Sequence, residues 1–206
     1  MAEPKQRRAY DSLRRALKAQ ETRADIAAAA RRLFVERGWA ATTVRDVARE
    51  AGVSVPTVYS AYGGKAGLAT ALAEAAATAG DLQREMSELT AAQSDPEGQL
   101  AAMAACDRRL FEQEGDLIAM VREVGRAEPD LAGLYEEGRR QADELREEVF
   151  SSWPAGRMRI SVPQAVDVYA TLCSIEVFDT LTGERGWTAT RVEEWWTEVL
   201  SREILR

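Results

Sequence analysis

The sequence predicts an all-α protein, and three observations carry that reading. Alanine, leucine, glutamate and arginine dominate the 206 residues, a composition that favours helix. Apolar residues recur at i, i+3 and i+4 through most of the chain, and no alternating run reaches convincing strand length. Ser, Thr, Asp, Pro and Gly fall where helices start and stop. Together they delimit about nine helices, with no internal repeat.

Residues 5–18, KQRRAYDSLRRALK, are basic, with Tyr10, Leu13 and Leu17 at helical spacing. They read either as a disordered arm or as a helix. Residues 21–37 form a helix through the stripe Ile26, Ala29, Ala30, Leu33 and Phe34, and Gly38 stops it. Thr43 caps the next helix, with Asp46 three residues on completing a capping box. Val44, Val47, Ala48 and Ala51 are its buried face, and Gly52 ends it. Ser54 or Val55 caps a third helix. Pro56 lacks an N–H, so a Ser54 cap could accept only from Thr57. Val58 and Tyr62 should face inward, and Val55, Pro56, Ser60 and Ala61 outward. Gly63-Gly64 breaks the helix before Lys65.

A helix over roughly 65–91 follows, with Leu68, Leu72, Ala75, Ala76, Leu82, Met86 and Leu89 on its apolar face and a bend or break at Gly80. Asp95-Pro96 starts a helix to about Gln113, and Gly115-Asp116 restarts a short one through Arg126. Glu128-Pro129 opens a long helix to Ser152. Trp153–Gly156 is a loop, Pro163 heads a helix to Leu181, and a final helix runs from near Thr190 to Leu205, with Glu193 in capping-box position.

Composition excludes several classes. The chain has no histidine, which removes Ser-His and Cys-His catalysis and the usual transition-metal ligands. Cys106 and Cys173 are expected as two buried thiols, and neither a metal nor a cofactor is implied. Paired acids such as Glu136-Glu137 and Glu147-Glu148 read as solvated helix faces, so an enzyme lacks a site. No apolar run approaches the ~18 residues needed to cross a bilayer, and the N-terminus lacks the apolar core of a secretory signal. A cytoplasmic protein without a membrane partner is expected. Charge is divided: residues 1–72 carry 13 Lys/Arg against 7 Asp/Glu, and residues 73–206 carry 14 against 27. A basic N-terminal third on an acidic remainder fits a protein that meets phosphate with one end.

Residues 43–65, TVRDVAREAGVSVPTVYSAYGGK, have the build of a helix-turn-helix, which presents one helix to the major groove of DNA. The wider stretch 23–68 resembles the tetracycline-repressor (TetR) family. Phe34, Gly38, Trp39, Thr42, Thr43, Val47, Ala48, Ala51, Gly52, Val53, Ser54, Thr57, Val58, Tyr59 and Lys65 fit the family pattern in type and spacing. The segment AVDVYATLCSIEVFDTLTGERGWTATRVEEWWTEVL resembles the last two helices of many members, while about 75–160 matches nothing nameable. Tyr62 stands where the family usually has Phe, Gly63-Gly64 replaces a Pro/Asp-Ser/Asn pair, and Ala66-Gly67 replaces a usual acidic pair. The expected organisation is a basic arm at 1–20, a helix-turn-helix domain at 21–68 and an effector-binding and dimerisation domain at 69–206.

The resemblance implies phosphate contacts from Thr43, Thr57, Tyr59 and Lys65. Val55, Pro56, Ser60 and Ala61 are the base-facing set, Arg45 is the best candidate for a guanine contact, and Thr42 joins the DNA-binding candidates. The basic arm could enter the minor groove, lie as a helix against the DNA backbone, or be a frayed, solvated tail. The resemblance further implies a homodimer on a palindromic double-stranded operator, paired through the last two helices. Tyr169, Cys173, Val177, Trp195, Trp196 and Val199 are the interface candidates, with one of the adjacent tryptophans facing inward and the other meeting the partner. It also implies a small-molecule effector, with Met103, Phe111, Met120, Tyr135, Trp153 and Phe178 as candidate lining. The function expected is a ligand-responsive transcriptional regulator, foremost a repressor released by its effector. An activator and a non-operator-binding interaction module are the alternatives.

Overall fold

A computed structural model of the chain describes residues 4–77, 82–92 and 95–206. These fall into two compact units, Met1–Leu72 and Ala73–Arg206. The regular structure among the described residues is helical, apart from one isolated backbone bridge between Met158 and Leu205.

The first unit begins with α1 (Pro4–Arg37), a single helix of 34 residues. The basic segment is thus the opening of α1, its Arg14, Arg15 and Lys18 exposed. The predicted stripe Ile26, Ala29, Ala30, Leu33 and Phe34 is buried throughout. Gly38 ends the helix at φ 80°, a left-handed conformation that glycine adopts without steric cost. α2 (Val44–Glu50) and α3 (Val55–Tyr62) follow, and α4 (Lys65–Ala77) starts in this unit, with Leu68 and Leu72 buried, and runs past its boundary. Ala76 is buried and Ala75 exposed. Gly80, where a bend or break was expected, lies outside the described residues, and nothing is described of the side chains of Leu82 and Met86.

The second unit comprises α5 (Leu82–Ala91), α6 (Pro96–Ala127), α7 (Pro129–Ser151), α8 (Val162–Leu172), α9 (Ile175–Asp179), a π-helical turn (Thr180–Glu184) and α10 (Ala189–Ile204). Three expectations change here. The predicted break at Gly115 is absent, and α6 is one helix of 32 residues. Gly115 stays in the helix, its backbone so close to Ile175 that an added Cβ would lie 2.9 Å from Cδ1 of that side chain. The helix predicted over 163–181 divides instead, because the Ser174 hydroxyl accepts from the Val177 N–H and starts a new helix. The cap of α10 is Thr188, whose hydroxyl accepts from the Arg191 N–H at 3.2 Å.

The core of the second unit gathers Leu100, Ala104, Phe150, Tyr169, Trp196 and Leu200. Phe111, Phe178 and Trp196 form an aromatic triangle with centroids 5.7–6.1 Å apart, the range of favourable aromatic pairs. Arg146 is buried in the same unit. It donates to Asp143 at 2.7 Å, stands 3.5 Å from Asp107 and lies 4.8 Å from the Tyr169 ring centroid. Two carboxylates and an aromatic face thus compensate a cation taken out of water.

Candidate nucleic-acid interface

The helix-turn-helix is fixed by local hydrogen bonds that its sequence spells out. At the head of α2 the Thr43 oxygen accepts from the Asp46 N–H at 3.2 Å, and Asp46 accepts from the Thr43 N–H at 3.1 Å. The Thr43 hydroxyl also donates to the Asp46 carboxylate at 2.5 Å. These bonds from Thr43 hold the Asp46 carboxyl below the usual carboxylate range. Between α2 and α3, Gly52 takes φ 66° and the Val53 N–H donates to the Ala48 carbonyl. Ser54 is the cap of α3 and accepts from Thr57, the donor that Pro56 leaves available. The Ser54 and Thr57 hydroxyls also share a 2.8 Å hydrogen bond.

α3 turns Val58 inward, fully buried, and leaves Pro56, Tyr59 and Ser60 exposed, with Val55, Thr57 and Ala61 half-buried. Tyr59 is 54 % exposed. Arg45 is exposed on the first turn of α2. Lys65, at the head of α4, donates to the Trp39 carbonyl and stands 4.1 Å from the centre of the Trp39 ring.

Thr42 corrects the predicted contact set. It is 1 % exposed, and its hydroxyl serves the carbonyls of Leu33 at 3.1 Å and Gly38 at 3.0 Å. A side chain sealed inside and already bonded cannot reach DNA. Of the two readings of the basic segment, disordered arm or helix, the structure has the helix, as the opening turns of α1.

The glycines that depart from the family pattern have local causes. Gly63 ends α3 at φ 73° and Gly64 follows at φ 124°, both conformations that side chains rarely adopt. A Cβ on Gly64 would sit 3.1 Å from the Tyr59 ring, and a Cβ on Gly67 would fall 1.7 Å from the Tyr62 carbonyl oxygen. The start of α4 therefore lies directly on the end of α3. A further link joins residues 39 apart in the chain, and sequence reasoning missed it: the Tyr62 hydroxyl donates to the Arg23 carbonyl at 2.8 Å. Its one signal was a phenol at a position where the family usually has a plain phenyl ring.

In the second unit the predicted interface set divides. Tyr169 at 1 %, Cys173 at 2 % and Trp196 at 0 % exposure belong to the core of their own chain, and Val199 is also buried. Their side chains are largely covered within their own chain. Val177 and Trp195 remain partly exposed, so of the adjacent tryptophans Trp196 is the inward one. Trp195 packs edge-on against Trp187 with centroids 6.0 Å apart.

The predicted effector lining divides too. Met103, Trp153 and Phe178 are core residues with Phe111 packed against them, and the Trp153 indole donates to Gln99 at 2.5 Å. Met120 is also buried. Tyr135 stands apart from these, lining an open groove of about 550 Å³ with Arg139, Asp143, Glu147, Pro163 and Val166. The six candidates therefore do not form one site. Among the described residues no three Cys, Asp or Glu side chains gather to hold a metal ion, and no helix is long and apolar enough to cross a membrane.

Comparison with known proteins agrees with this geometry. Residues 26–72 match the family model of bacterial regulatory proteins, tetR family. A probable HTH-type transcriptional regulator, ArpR of Pseudomonas putida, is 35 % identical over 104 residues, covering 50 % of this chain and 46 % of that one. The HTH-type transcriptional regulator TtgR, also of P. putida, is 50 % identical over 54 residues, 26 % of either chain. The matched region thus spans less than half the length of either relative. Among solved structures, a transcriptional regulator of Saccharomonospora viridis in complex with choline superposes with a TM-score of 0.75 at 20 % identity, covering 91 % of this chain and 99 % of that one. NalD, the secondary repressor of the MexAB-OprM multidrug efflux pump in Pseudomonas aeruginosa, gives 0.71 at 20 % identity, covering 92 % and 98 %. The SmeT–triclosan complex gives 0.68 at 18 % identity, covering 90 % and 92 %. Capped α2, a turn at Gly52, an outward-facing α3 and the family-model match together show residues 26–72 to be similar to the helix-turn-helix region of the tetR family of bacterial regulatory proteins.

Proposed function

We propose that the protein is a cytoplasmic, ligand-responsive transcriptional repressor that binds a palindromic operator as a homodimer and is not an enzyme. The observation that carries this reading is the outer side of α3. Pro56, Tyr59 and Ser60 stand exposed on a short helix capped by Ser54 and anchored by Val58. Base edges would meet Val55, Pro56, Ser60 and Ala61, none of which makes the bidentate contacts that read guanine or adenine. Direct readout is therefore sparse, and Arg45 together with DNA shape carries much of the specificity. Thr57, Tyr59, Lys65 and the N-terminus of α2 at Thr43 grip phosphate, where free N–H groups and the helix dipole favour anions. Residues 1–20 act as the opening of the DNA-binding unit, 21–68 as the reading head, and the remainder as the effector and dimer domain.

Pairing of two copies is supported by the partly buried apolar residues left on α8 and α10. Val166, Val168, Leu172 and Trp195 lie against the core without being closed over by it. A two-fold dimer places two α3 helices one helical turn of DNA apart. Effector release follows if the ligand binds more tightly to a form whose two reading heads no longer match that spacing. The named relatives and the ligand complexes of structural neighbours support this assignment.

Electrophoretic mobility shift with DNA from beside the protein's own gene, followed by footprinting, tests the reading. A two-fold symmetric protected site is expected. Absence of binding to that DNA at low salt would refute the repressor and favour an interaction module.

A further inference from the structure

We propose that Tyr62 and Arg23 are positioning residues for the reading helix, a latch that fixes how α3 is rotated and tilted against α1. The inference rests on the DNA-binding reading above and goes beyond it by assigning operator preference to two residues outside the contact set.

α3 has eight residues, about two turns, far below the length at which an isolated helix holds together in water. Val58 is its one buried residue. A single anchored side chain leaves a short helix free to pivot about that point. A second fixed point one turn further on removes this freedom, and Tyr62 is four residues after Val58.

Three contacts join the same two places. The Tyr62 hydroxyl donates to the Arg23 carbonyl at 2.8 Å. The Arg23 guanidinium donates to the Ala61 carbonyl at 2.5 Å. The same guanidinium lies 4.6 Å from the centre of the Tyr62 ring. Ala61 is in the last turn of α3, where carbonyls lack helical partners and a cation is favoured by the dipole. Arg23 thus completes the end of α3 while Tyr62 returns a bond to α1. Beyond the latch the chain turns through Gly63 and Gly64, both at positive φ, and Gly67 then packs on the Tyr62 backbone, so α4 and the latch hold the same end of α3 from two sides.

Of the proposed phosphate contacts, those of Thr43 and Lys65 lie outside α3 and do not move with its pivot, whereas base contacts from short side chains such as Pro56 and Ser60 move with it directly. Loss of the latch therefore lowers discrimination more than general affinity. Tyr62→Phe is the cleanest probe, because it keeps the ring and removes the donor. The full chain and its variants are titrated against the footprinted operator and against a scrambled duplex of equal length at one salt concentration. Tyr62→Phe should weaken operator binding about three- to tenfold, the range of one net hydrogen bond, with scrambled-duplex binding within about twofold. Arg23→Ala should act in the same direction. Arg23→Lys should recover part of the preference by keeping a cation at the end of α3. Thermal melting of each variant separates loss of fold from loss of position. An unchanged operator-to-scrambled ratio in Tyr62→Phe overturns the latch, as does an equal loss on both duplexes. If the unmodified chain binds neither duplex, the DNA reading fails first and the latch with it.

Discussion

The ammonium of Lys65 is bound to the carbonyl of Trp39 and faces the indole of the same residue, 4.1 Å from the ring centroid. Trp39 in turn packs on Phe34 at 5.1 Å. A chain from the core of α1, through the turn after it, thus ends on the lysine that opens α4. Lys65 is thus held in place by the protein itself. Lys65→Ala should weaken binding to all duplexes alike and reduce the slope of log K against log salt by about one. Trp39→Phe should keep an aromatic face under Lys65 and lose less affinity than Trp39→Ala. Binding isotherms at several salt concentrations measure both.

Thr42 and Thr43 are adjacent and should respond differently. Thr42→Val leaves the Leu33 and Gly38 carbonyls without their donor, which should lower stability by about 1–3 kcal/mol. DNA affinity of the folded fraction should be unchanged. Thr43→Ala removes the cap of α2, worth about 1 kcal/mol, and should also lower affinity if the hydroxyl turns to phosphate on binding. Denaturant unfolding paired with titration of folded protein separates the two effects.

Gly67→Ala should be among the more damaging single-methyl changes in the first unit. The new Cβ would meet the backbone of Tyr62 at 1.7 Å, and backbone cannot rotate away as a flexible side chain can. Overpacking of this kind costs about 1–3 kcal/mol or more, so the melting temperature should fall and operator binding with it. Gly115→Ala, which meets only the end of the Ile175 side chain, should cost less.

The two cysteines should differ in reactivity. Burial, with Asp107 nearby, pushes the Cys173 thiol well above its ordinary value of 9.0. Cys106 is only partly buried, and neither residue forms a disulfide. A thiol reagent at neutral pH should modify Cys106 first and Cys173 only on unfolding. Burial also raises the Tyr169 hydroxyl well above 10.0. Both groups hold their protons more tightly folded than unfolded. Stability should therefore fall as pH rises above about 9, where the unfolded chain loses those protons and the folded one does not. Denaturation midpoints between about pH 7 and 11 check the sign.

Trp195 is the outward member of its pair and remains partly exposed beside Trp187. Trp195→Glu should place a charge on the proposed dimer face and shift sedimentation toward monomer without unfolding the chain. Trp196→Glu would put an unpaired charge into a fully buried position and should unfold the second unit.

What the sequence determined by itself was set by interactions within four or five residues of chain. The capping box of Thr43 and Asp46 and the inward face of α1 are of this kind, and the structure has each as the sequence requires; of the two caps the sequence left open for α3, the structure takes Ser54, which accepts from Thr57. The family resemblance and the helix-turn-helix follow from the same local code. Tertiary structure alone decided which apolar faces were already covered. An apolar stripe gains the same free energy from its own chain as from a second copy, so the pattern of α8 and α10 could not say that Tyr169, Cys173 and Trp196 close the core of their own unit. It also could not place Thr42 inside, keep α6 unbroken at Gly115, or bring Tyr62 to Arg23, because each depends on a partner distant in sequence and on how closely two backbones approach.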